Sequence, residues 1–436
     1  MSDAASPVLL PGATIGIFGG GQLGRLTAMA ARSMGYRILV LDPDPACPAR
    51  FVVDGCIEAA WGDSREAANL ARGCDVVTLE IEQISLASMD AAASFAPVRP
   101  GREMLAVIQD RIEQKDWLRR NDFPVGDYRA VRSLDQLREA VAALGGKCFC
   151  KSATGGYDGR GQGKVGFDST TAGSEAEIRG AWEALGEGPG VVEQAIDLNR
   201  EISILVARSP RGEVKVYPAA WNHHEHQILA WSVLPAPLPA DLAAEASQLA
   251  QAIADTFQLE GILAVELFVT TSGRLLVNEL APRPHNSYHS SERACVTSQF
   301  EQLVRAVCNL PLGSPDVVQP CAIANLLGDL WLTPAGETEV GAPCQTQSDV
   351  GMRLAQTPQQ QPTTCNLQPA THSPLTTHHL PLRTPHFDRA LAVPGVRLHL
   401  YEKLRPRKGR KMGHLSAVAP TPEEAVALVL HAKSLL

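Results

Sequence analysis

The stretch VELFVTTSGRLLVNEL, residues 265–280, places two acidic residues in a hairpin of apolar strands. If the central SG pair is a two-residue turn, counting back along the strands brings Glu266 opposite Glu279. Opposed side chains lie roughly 5 Å apart, where like charges are destabilising, so half-buried carboxylates there must be protonated or neutralised. The nearest basic residue, Arg274, lies at the turn and is too far along the strands to serve both. A divalent cation such as Mg²⁺ would neutralise both, because it binds one or two carboxylates together with substrate phosphates.

Composition excludes several classes of protein. The chain has 436 residues, enough for two or three domains, and its apolar content of 45% is typical of globular proteins. A net charge of −8 disfavours a general nucleic-acid or membrane-surface binder. No apolar run reaches membrane-spanning length, the N-terminus lacks a signal-peptide pattern, and the ten cysteines lack zinc-ligand spacing. We therefore expect a cytoplasmic protein with reduced thiols.

Short apolar strands alternate with helices in the first hundred residues, which predicts a doubly wound parallel sheet. A helix is predicted over 22–34 and another over 104–120. GGGQLG, residues 19–24, lies between a strand and a helix, and Asp42 ends the next strand. This pattern fits a dinucleotide fingerprint, but it also fits another phosphorylated ligand or a tight strand–helix turn.

From Pro124 onward the pattern changes to α+β with hairpins. The glycine-rich stretch TGGYDGRGQG, residues 154–163, follows a strand that ends near Lys151. Successive backbone amides in such a loop can bind an anion, and the lysine would add a point charge for phosphate oxygens. The stretch is not a Walker A loop, and a flexible hairpin tip is the alternative interpretation.

Two further stretches carry polar groups that could meet a ligand. VVEQAI, with Glu193 and Gln194 at a strand end, could face an adenine edge, although an ordinary strand terminus has the same pattern. In WNHHEHQ, residues 221–227, a strand would place His224 and His226 on one face. Zinc would need further ligands that the sequence does not show, so hydrogen bonding to phosphate or sugar is the favoured interpretation.

The segments around the hairpin and near the C-terminus are basic. APRPHNS, residues 281–287, follows the second acid directly, and its arginine suits capture of a planar oxyanion such as bicarbonate. EKLRPRKGRKMGH, residues 402–414, is either a solvated loop or a pocket for a sugar phosphate. A Gln/Pro/Thr-rich stretch at about 333–384 is predicted to be a disordered or surface insertion.

Taken together, these stretches resemble the ATP-grasp enzymes, and specifically the 5-(carboxyamino)imidazole ribonucleotide synthases of purine biosynthesis. The matching motifs occur in order along nearly the whole chain: GGGQLGR, LDPDPACPA, DRIEQK, GGYDGRGQ, VEQAI, NELAPRPHNS and RKMGH. The resemblance implies an α/β and α+β chain with an ATP-grasp fold. It would comprise an N-terminal doubly wound domain over 1–105, an ATP-grasp domain over 106–315 and a small C-terminal domain over 316–436.

The resemblance also assigns roles to individual residues. ATP contacts would be Arg111, Lys151, Gly156, Tyr157, Asp158, Gly159, Arg160, Gly161, Gln162, Glu193, Gln194, Ala195, Ile196, Glu201, His224, Asn278 and Glu279. Mg²⁺ would be held by Glu266 and Glu279. The aminoimidazole ribonucleotide would contact Gln22, Leu23, Glu80, Asn286, Lys403, Arg410 and Lys411. Bicarbonate and its phosphorylated form would be surrounded by Tyr157, Arg283, His285 and Lys403.

The implied activity is ATP-dependent carboxylation of 5-aminoimidazole ribonucleotide by bicarbonate through carboxyphosphate, with Mg²⁺ as cofactor and a homodimer as the expected assembly. The loop over 155–163 would be the lid that excludes water. The alternatives are a formate-dependent glycinamide ribonucleotide transformylase, a nicotinamide dehydrogenase built on GGGQLG, and a non-catalytic nucleotide sensor.

Overall fold

The computed structural model of the chain describes residues 7–155, 161–167, 173–332 and 382–436. The five predicted ATP contacts from Gly156 to Arg160, and nearly all of the predicted Gln/Pro/Thr insertion, lie outside these ranges. Among the residues described, every helix is too short or too polar to cross a membrane.

A four-stranded parallel sheet forms the N-terminal part, as predicted. Its strands are β1 (Thr14–Phe18), β2 (Arg37–Asp42), β3 (Gly55–Glu58) and β4 (Val76–Leu79), in the order β3-β2-β1-β4. Helices α1 (Gln22–Ser33), α2 (Ser64–Arg72) and α3 (Leu86–Ala93) connect and follow these strands. The strand order reverses between β1 and β4, and the GGGQLG turn follows β1 at this switch point, where open α/β sheets commonly bind ligands.

The single helix predicted over 104–120 is wrong, because the structure has two helices there. Helix α4 (Arg102–Ile108) ends before Asp110, and α5 (Arg111–Arg120) begins after it. The Asp110 carboxylate accepts hydrogen bonds from the amides of Ile112 and Glu113, so it is the N-cap of the second helix. The cap fixes Arg111 as the first helical residue.

A small antiparallel sheet follows. Its strands are β5 (Tyr128–Val131), β6 (Cys148–Ser152), β7 (Gln162–Val165) and β8 (Gly190–Gln194), in the order β5-β8-β6-β7. Helices α6 (Leu134–Ala143) and α7 (Glu175–Ala184) pack on it over a shared apolar core. The glycine-rich stretch connects β6 to β7.

A nine-stranded sheet forms the centre of the molecule. Its strands are β9 (Leu198–Arg208), β10 (Val214–Val216), β11 (Ala220–Glu225), β12 (Ile228–Leu234), β13 (Gly261–Thr270), β14 (Leu275–Ala281), β15 (Cys321–Leu327), β16 (Val396–Leu400) and β17 (Lys411–Val418). The order is β14-β13-β9-β11-β12-β15-β17-β16, with β10 paired to β9. The remaining helices are α8 (Ala240–Thr256), α9 (Ser291–Ala294), α10 (Gln299–Val307), α11 (Phe387–Leu391) and α12 (Pro422–Ser434). The sheet runs unbroken through the predicted boundary at 315/316, because β12 pairs with β15.

The acidic hairpin has the predicted pairing but not the predicted turn. The amide of Thr270 donates to the carbonyl of Arg274, so three residues form the loop instead of two. A β-bulge then skips Asn278 and shifts the register back by one, and Glu266 pairs with Glu279 as predicted. The bulge therefore determines which residue faces Glu266.

The cap of α5 allows a test of stability. We expect Asp110→Ala to lower the free energy of unfolding by about 1 kcal/mol, because two amides of the first turn lose their acceptor. Glu113→Ala, which changes an exposed side chain of the same turn, is the control and should shift it by less than about 0.5 kcal/mol. Thermal unfolding followed by circular dichroism measures both, and equal effects would contradict the capping role.

Candidate functional site

Two adjoining cavities contain most of the predicted site residues. The larger, of about 440 Å³, lies between the small antiparallel sheet and the edge of the central sheet. Its lining includes the predicted ATP contacts Lys151, Gln162, Glu193, Gln194, Ile196, Glu201, His224, Asn278 and Glu279. The smaller, of about 150 Å³, is lined by Gln22, Leu23, Arg111, Arg283, His285, Asn286 and Lys411, among others. Glu266 and Glu279 line both cavities, so they lie on the shared wall.

A carboxylate between two lysines dominates the electrostatics of the larger cavity. Glu193 forms ion pairs with Lys115 at 2.7 Å and with Lys151 at 2.5 Å. Burial alone would raise the pKa of Glu193, but the two ammonium groups outweigh it and lower the pKa to about 2. Burial lowers the pKa of Lys115, which its carboxylate partner opposes. The two lysines around one carboxylate offer ammonium groups that an anionic ligand could contact.

Sequence reasoning missed Lys115 as a site residue. It is almost fully buried and lines the larger cavity. It lies four residues after Arg111 on α5, so both side chains share a helix face. This spacing was the signal in the sequence that could have identified Lys115 as a site residue. The role foreseen for the Glu193 side chain at an adenine edge is also revised, because both of its oxygens are engaged by lysines.

Each of the opposed carboxylates has a basic partner outside the hairpin. Glu266 Oε1 lies 3.0 Å from His285 Nε2, in the segment that follows the hairpin, and Glu279 Oε1 lies 3.5 Å from Arg111 Nη2 of α5. The partner on α5 could not be read from the hairpin. Burial opposes ionisation of Glu266, but His285 and other nearby cations lower its pKa, so the charged form prevails. The Asn278 amide donates to Glu266 at 3.3 Å and accepts from Lys151 at 3.2 Å.

Among the described residues, the WNHHEHQ stretch contributes to no group of three or more metal-ligand side chains. His226 and Gln227 have positive φ angles of 50° and 65° and form the turn between β11 and β12, so the prediction that His224 and His226 share a strand face is wrong. His224 Nδ1 lies 2.7 Å from Glu201 Oε2. Burial would lower the pKa of His224, but this carboxylate outweighs it and raises the pKa. The pair therefore presents a fixed hydrogen-bonding edge to the cavity.

The GGGQLG turn is occupied by the protein's own carboxylate. Glu80 accepts from the amides of Gly21 at 2.5 Å, Leu23 at 3.0 Å and Gly24 at 2.8 Å, at the N-terminus of α1. A Cβ on Gly21 would lie 2.5 Å from Glu80 Oε1, so the glycine leaves room for this side chain. Burial raises the pKa of Glu80 to about 7, which the amide donors oppose. Glu80 thus fills the place where a dinucleotide phosphate would bind.

The smaller cavity contains a buried amide without partners. Both side-chain atoms of Asn286 are buried and lack a hydrogen-bond partner within the described part of the chain. Arg283, also buried, lies 2.7 Å from Glu82, a residue that the sequence analysis did not select. Because buried polar groups are normally paired, the Asn286 amide indicates a polar ligand in this cavity.

The C-terminal basic loop contacts the N-terminal helix beside this cavity. Lys403 Nζ donates to Gln22 Oε1 at 2.8 Å and to the carbonyl of Lys411 at 2.7 Å. Arg410 donates to the carbonyl of Arg405 at 2.7 Å. Of the basic residues predicted to bind the substrate, only Lys411 lines the cavity itself. Glu80 and Lys403 contact residues of its lining, Leu23 and Gln22, whereas Arg410 does not line it.

Three protein families match consecutive parts of the chain. The ribonucleotide synthetase preATP-grasp domain matches 12–109, the ATP-grasp domain matches 116–300, and the phosphoribosylaminoimidazole carboxylase C-terminal domain matches 374–427. N5-carboxyaminoimidazole ribonucleotide synthase of Bacillus subtilis is 39% identical over 322 residues, which are 74% of this chain and 83% of the relative. The chain belongs to the N5-carboxyaminoimidazole ribonucleotide synthase family.

Solved structures of this synthase family share the fold. An ADP complex of N5-carboxyaminoimidazole ribonucleotide synthetase is 34% identical, has a TM-score of 0.80, and is matched over 98% of both chains. The Aspergillus clavatus enzyme in complex with ADP and 5-aminoimidazole ribonucleotide is 26% identical, with a TM-score of 0.78 over 97% of this chain and 98% of that one. The ATP-grasp architecture predicted from the motifs is confirmed.

The lysine–glutamate–lysine group provides a test of the site's electrostatics. At pH 7 we expect Glu193→Gln to destabilise the protein by about 3–5 kcal/mol, because two buried cations then face each other unpaired. The pKa of Glu193 is depressed in the folded state, so its stabilisation is present above pH 4.5 and is lost as the pH falls toward 2.

The thermal unfolding midpoints of the wild type and of Glu193→Gln should therefore converge as the pH falls below 4.5. Glu183→Gln, on the exposed face of α7, is the matched control and should not change the midpoint. A constant difference between wild type and Glu193→Gln across this pH range would contradict the assignment.

Proposed function

We propose that this chain carboxylates the amine of 5-aminoimidazole ribonucleotide with bicarbonate, using ATP and releasing ADP and phosphate. One observation carries the proposal: Glu266 and Glu279 lie on the wall between a cavity that contains Lys115 and Lys151 and a cavity that contains Asn286, whose buried amide has no partner among the described residues. This arrangement suits a phosphoryl group that passes from a nucleotide in the first cavity to an acceptor in the second. The relatives' shared name, and the ADP and ribonucleotide complexes of solved members, support the same assignment.

The larger cavity is the proposed ATP site. Its volume of about 440 Å³ falls within the usual range for small-molecule pockets, about 300–1,000 Å³. Lys151 and Lys115 supply positive charge for the phosphates, and the Glu201–His224 pair offers polar groups to a ribose. Phe149, Ile196, Leu198 and Phe268 give the cavity an apolar wall for a base.

The shared wall fits Mg²⁺. Glu266 and Glu279 face each other across the hairpin and provide the carboxylate oxygens that this hard cation prefers. Arg111 and His285 are the partners of the two carboxylates in the protein described here. When bound, Mg²⁺ would neutralise the charge that develops on the transferring phosphoryl group. Glu266 and Glu279 are the residues that would hold it.

The smaller cavity is the proposed site for bicarbonate and the ribonucleotide. Arg283 and His285 lie next to the shared wall, where bicarbonate must meet the γ-phosphate. Asn286, Gln22 and Lys411 line the rest of the cavity and would bind the aminoimidazole ribonucleotide. When the substrate binds, the Asn286 amide would gain the hydrogen-bond partners that it lacks among the described residues. We therefore expect it to bind a substrate group that both donates and accepts hydrogen bonds.

The chemistry then follows from positioning and charge. A bicarbonate oxygen attacks the γ-phosphorus, the bond to ADP breaks, and carboxyphosphate forms while Lys151 stabilises the departing charge. The substrate amine attacks the carboxyl carbon, the carbon–oxygen bond to phosphate breaks, and the departing phosphate takes the proton that the amine loses. Arg283 holds the oxyanion during both steps, and the His285–Glu266 pair keeps that imidazole oriented at the wall. Tyr157, the fourth predicted catalytic residue, lies outside the described residues.

Two of the three alternative assignments lose their support. The nicotinamide interpretation depended on GGGQLG, whose anion position is filled by Glu80. The formate-dependent alternative is disfavoured because the relatives reported above carry the name of the carboxylating enzyme. A homodimer and a cytoplasmic location, expected from the sequence, stay predictions, as do the domain boundaries at 105/106 and 315/316.

The metal assignment is tested by Glu279→Gln. We expect kcat for bicarbonate-dependent ADP release to fall at least about 100-fold, because a metal contact worth several kcal/mol is lost. The variant should keep its wild-type unfolding midpoint and bind ADP without Mg²⁺ as the wild type does. Glu245→Gln, on an exposed part of α8, is the control. Near-normal turnover by Glu279→Gln would refute the assignment.

The substrate pocket is tested by Asn286→Ala. Loss of hydrogen bonds worth about 1.5 kcal/mol in total should raise KM for 5-aminoimidazole ribonucleotide roughly tenfold. The KM for ATP should stay unchanged, because Asn286 lines only the smaller cavity. Asn69→Ala, on the exposed face of α2, provides the reference. A rise in the KM for ATP instead would indicate that ATP binds in the smaller cavity and the ribonucleotide in the larger one.

A further inference from the structure

The segment 401–403, at the start of the basic loop, lies against the first two turns of α1, and Tyr401 anchors it there. Tyr401 is completely buried and shares an apolar cluster with Leu23 and Leu26 of α1. Its amide donates to the carbonyl of Met412 at 2.9 Å, which continues the pairing of β16 with β17 by one residue. The end of the sheet therefore delivers the next two residues to the same helix.

A bidentate ion pair joins the next residue to α1. Arg25 Nη1 and Nη2 donate to the two carboxylate oxygens of Glu402 at 2.8 and 2.9 Å. Only 12% of the Arg25 side chain is exposed, and Nη1 also donates to the carbonyl of Pro48 at 3.1 Å, so a second contact holds the guanidinium in place. Two parallel charge-assisted hydrogen bonds fix the orientation of both groups as well as their distance. The enclosed arginine and the bidentate geometry distinguish this pair from an ordinary exposed salt bridge, which contributes little. We call it the Arg25–Glu402 clamp.

Glu402 has a backbone conformation that a glutamate does not favour. Its φ is 57°, in the left-handed region that side chains with a Cβ rarely adopt. Such a conformation persists where the surrounding structure holds it, and it is frequent in segments with a function. The clamp provides a contact of this kind through the side chain of the strained residue itself.

Lys403 connects the clamp to the smaller cavity. Its Nζ lies 2.8 Å from Gln22 Oε1 and 2.7 Å from the carbonyl of Lys411, and both of these residues line the cavity. Gln22 begins α1, and Arg25 follows it by three residues, so one surface of the helix holds both contacts. The clamp therefore fixes the place where Lys403 meets the wall of the cavity.

The far end of the basic loop has separate anchors. The amide of Gly409 donates to the Asp329 carboxylate at 2.7 Å, and the amide of Gly328 donates to the carbonyl of Arg410 at 2.8 Å. These contacts involve the segment after β15 and not α1. Loss of the clamp should therefore release the start of the loop and leave its end in place.

We propose that Arg25 and Glu402 are positioning residues for the ribonucleotide site. They hold Lys403 against Gln22, so that its ammonium group is already at the cavity wall when the substrate enters. Neither residue belongs to the lining of the two cavities, so both act through Lys403. The identity of the substrate in this inference rests on the function proposed above, whereas the docking of the loop on α1 does not.

Steady-state kinetics of the full-length protein test the proposal. Arg25→Met and Glu402→Gln should each raise the KM for 5-aminoimidazole ribonucleotide at least about fivefold, because the charge-assisted hydrogen bonds that hold the loop are lost. The KM for ATP should stay unchanged, since the loop does not line the larger cavity. The double variant should show no larger rise than the single variants, because both changes remove the same contact.

Two exposed residues provide matched controls. Arg65→Met on α2 and Glu423→Gln on α12 make the same chemical changes away from the clamp and should leave both KM values unchanged. An unchanged KM for the ribonucleotide in both clamp variants would overturn the positioning role. A parallel rise in both KM values, or additive rises in the double variant, would overturn it as well.

Limited proteolysis separates the clamp from the proposed activity. Trypsin should cut the bond between Lys403 and Leu404 at least about fivefold faster in Arg25→Met than in the wild type, because cleavage follows the population of the open loop. Arg65→Met, in which the sequence around this bond is also unchanged, should be cut at the wild-type rate. Absence of turnover by the wild type would refute the proposed function and leave cleavage as the test of the clamp. Equal cleavage of wild type and Arg25→Met would overturn the clamp itself.

Discussion

Charge balance in the cleft between the two sheets is the constraint on which the site depends. Four carboxylates, Glu193, Glu201, Glu266 and Glu279, line the larger cavity, and burial alone would oppose ionisation of Glu193 and Glu266. Each carboxylate has a basic partner on another segment: two lysines for Glu193, His224 for Glu201, His285 for Glu266 and Arg111 for Glu279. The fold brings these partners together by assembling α5, β6, β8 and the β13–β14 hairpin. A triphosphate and its metal can then exchange with partners that are already in place, so binding requires little rearrangement.

The sequence allowed much of this to be predicted where local rules apply. The alternation of strands and helices predicted the parallel sheet, and the ordered motifs predicted the ATP-grasp architecture. The pairing of Glu266 with Glu279 was also correct, but two errors cancelled in its derivation. The loop has three residues instead of two, and the bulge at Asn278 restores the count. A bulge depends on tertiary packing as much as on sequence, so residue counting could not have found it.

What the sequence could not show are the contacts between distant segments. Glu80 follows β4, and nothing near it indicates that its carboxylate fills the glycine turn sixty residues earlier. Lys115 lies within the helix predicted over 104–120, and only the fold shows that its helix face meets Glu193. The break at Asp110 was missed because helical periodicity continues through it, although an aspartate before a helical run is a recognisable cap. The role of each of these residues depends on its contacts in the folded structure. The periodicity of the sequence contains no information about those contacts.

The contact between the two ends of the chain has a consequence for biosynthesis. Arg25 of α1 forms a bidentate pair with Glu402 at 2.8 and 2.9 Å, and Lys403 reaches Gln22 on the same helix. Strand β17, which follows this loop, covers one edge of β15. Residues 402 and 403 must therefore have left the ribosome before α1 receives these partners. A prematurely terminated product would present β15 as an open edge and would lack the basic loop, which makes such fragments prone to aggregation and recognisable to quality control.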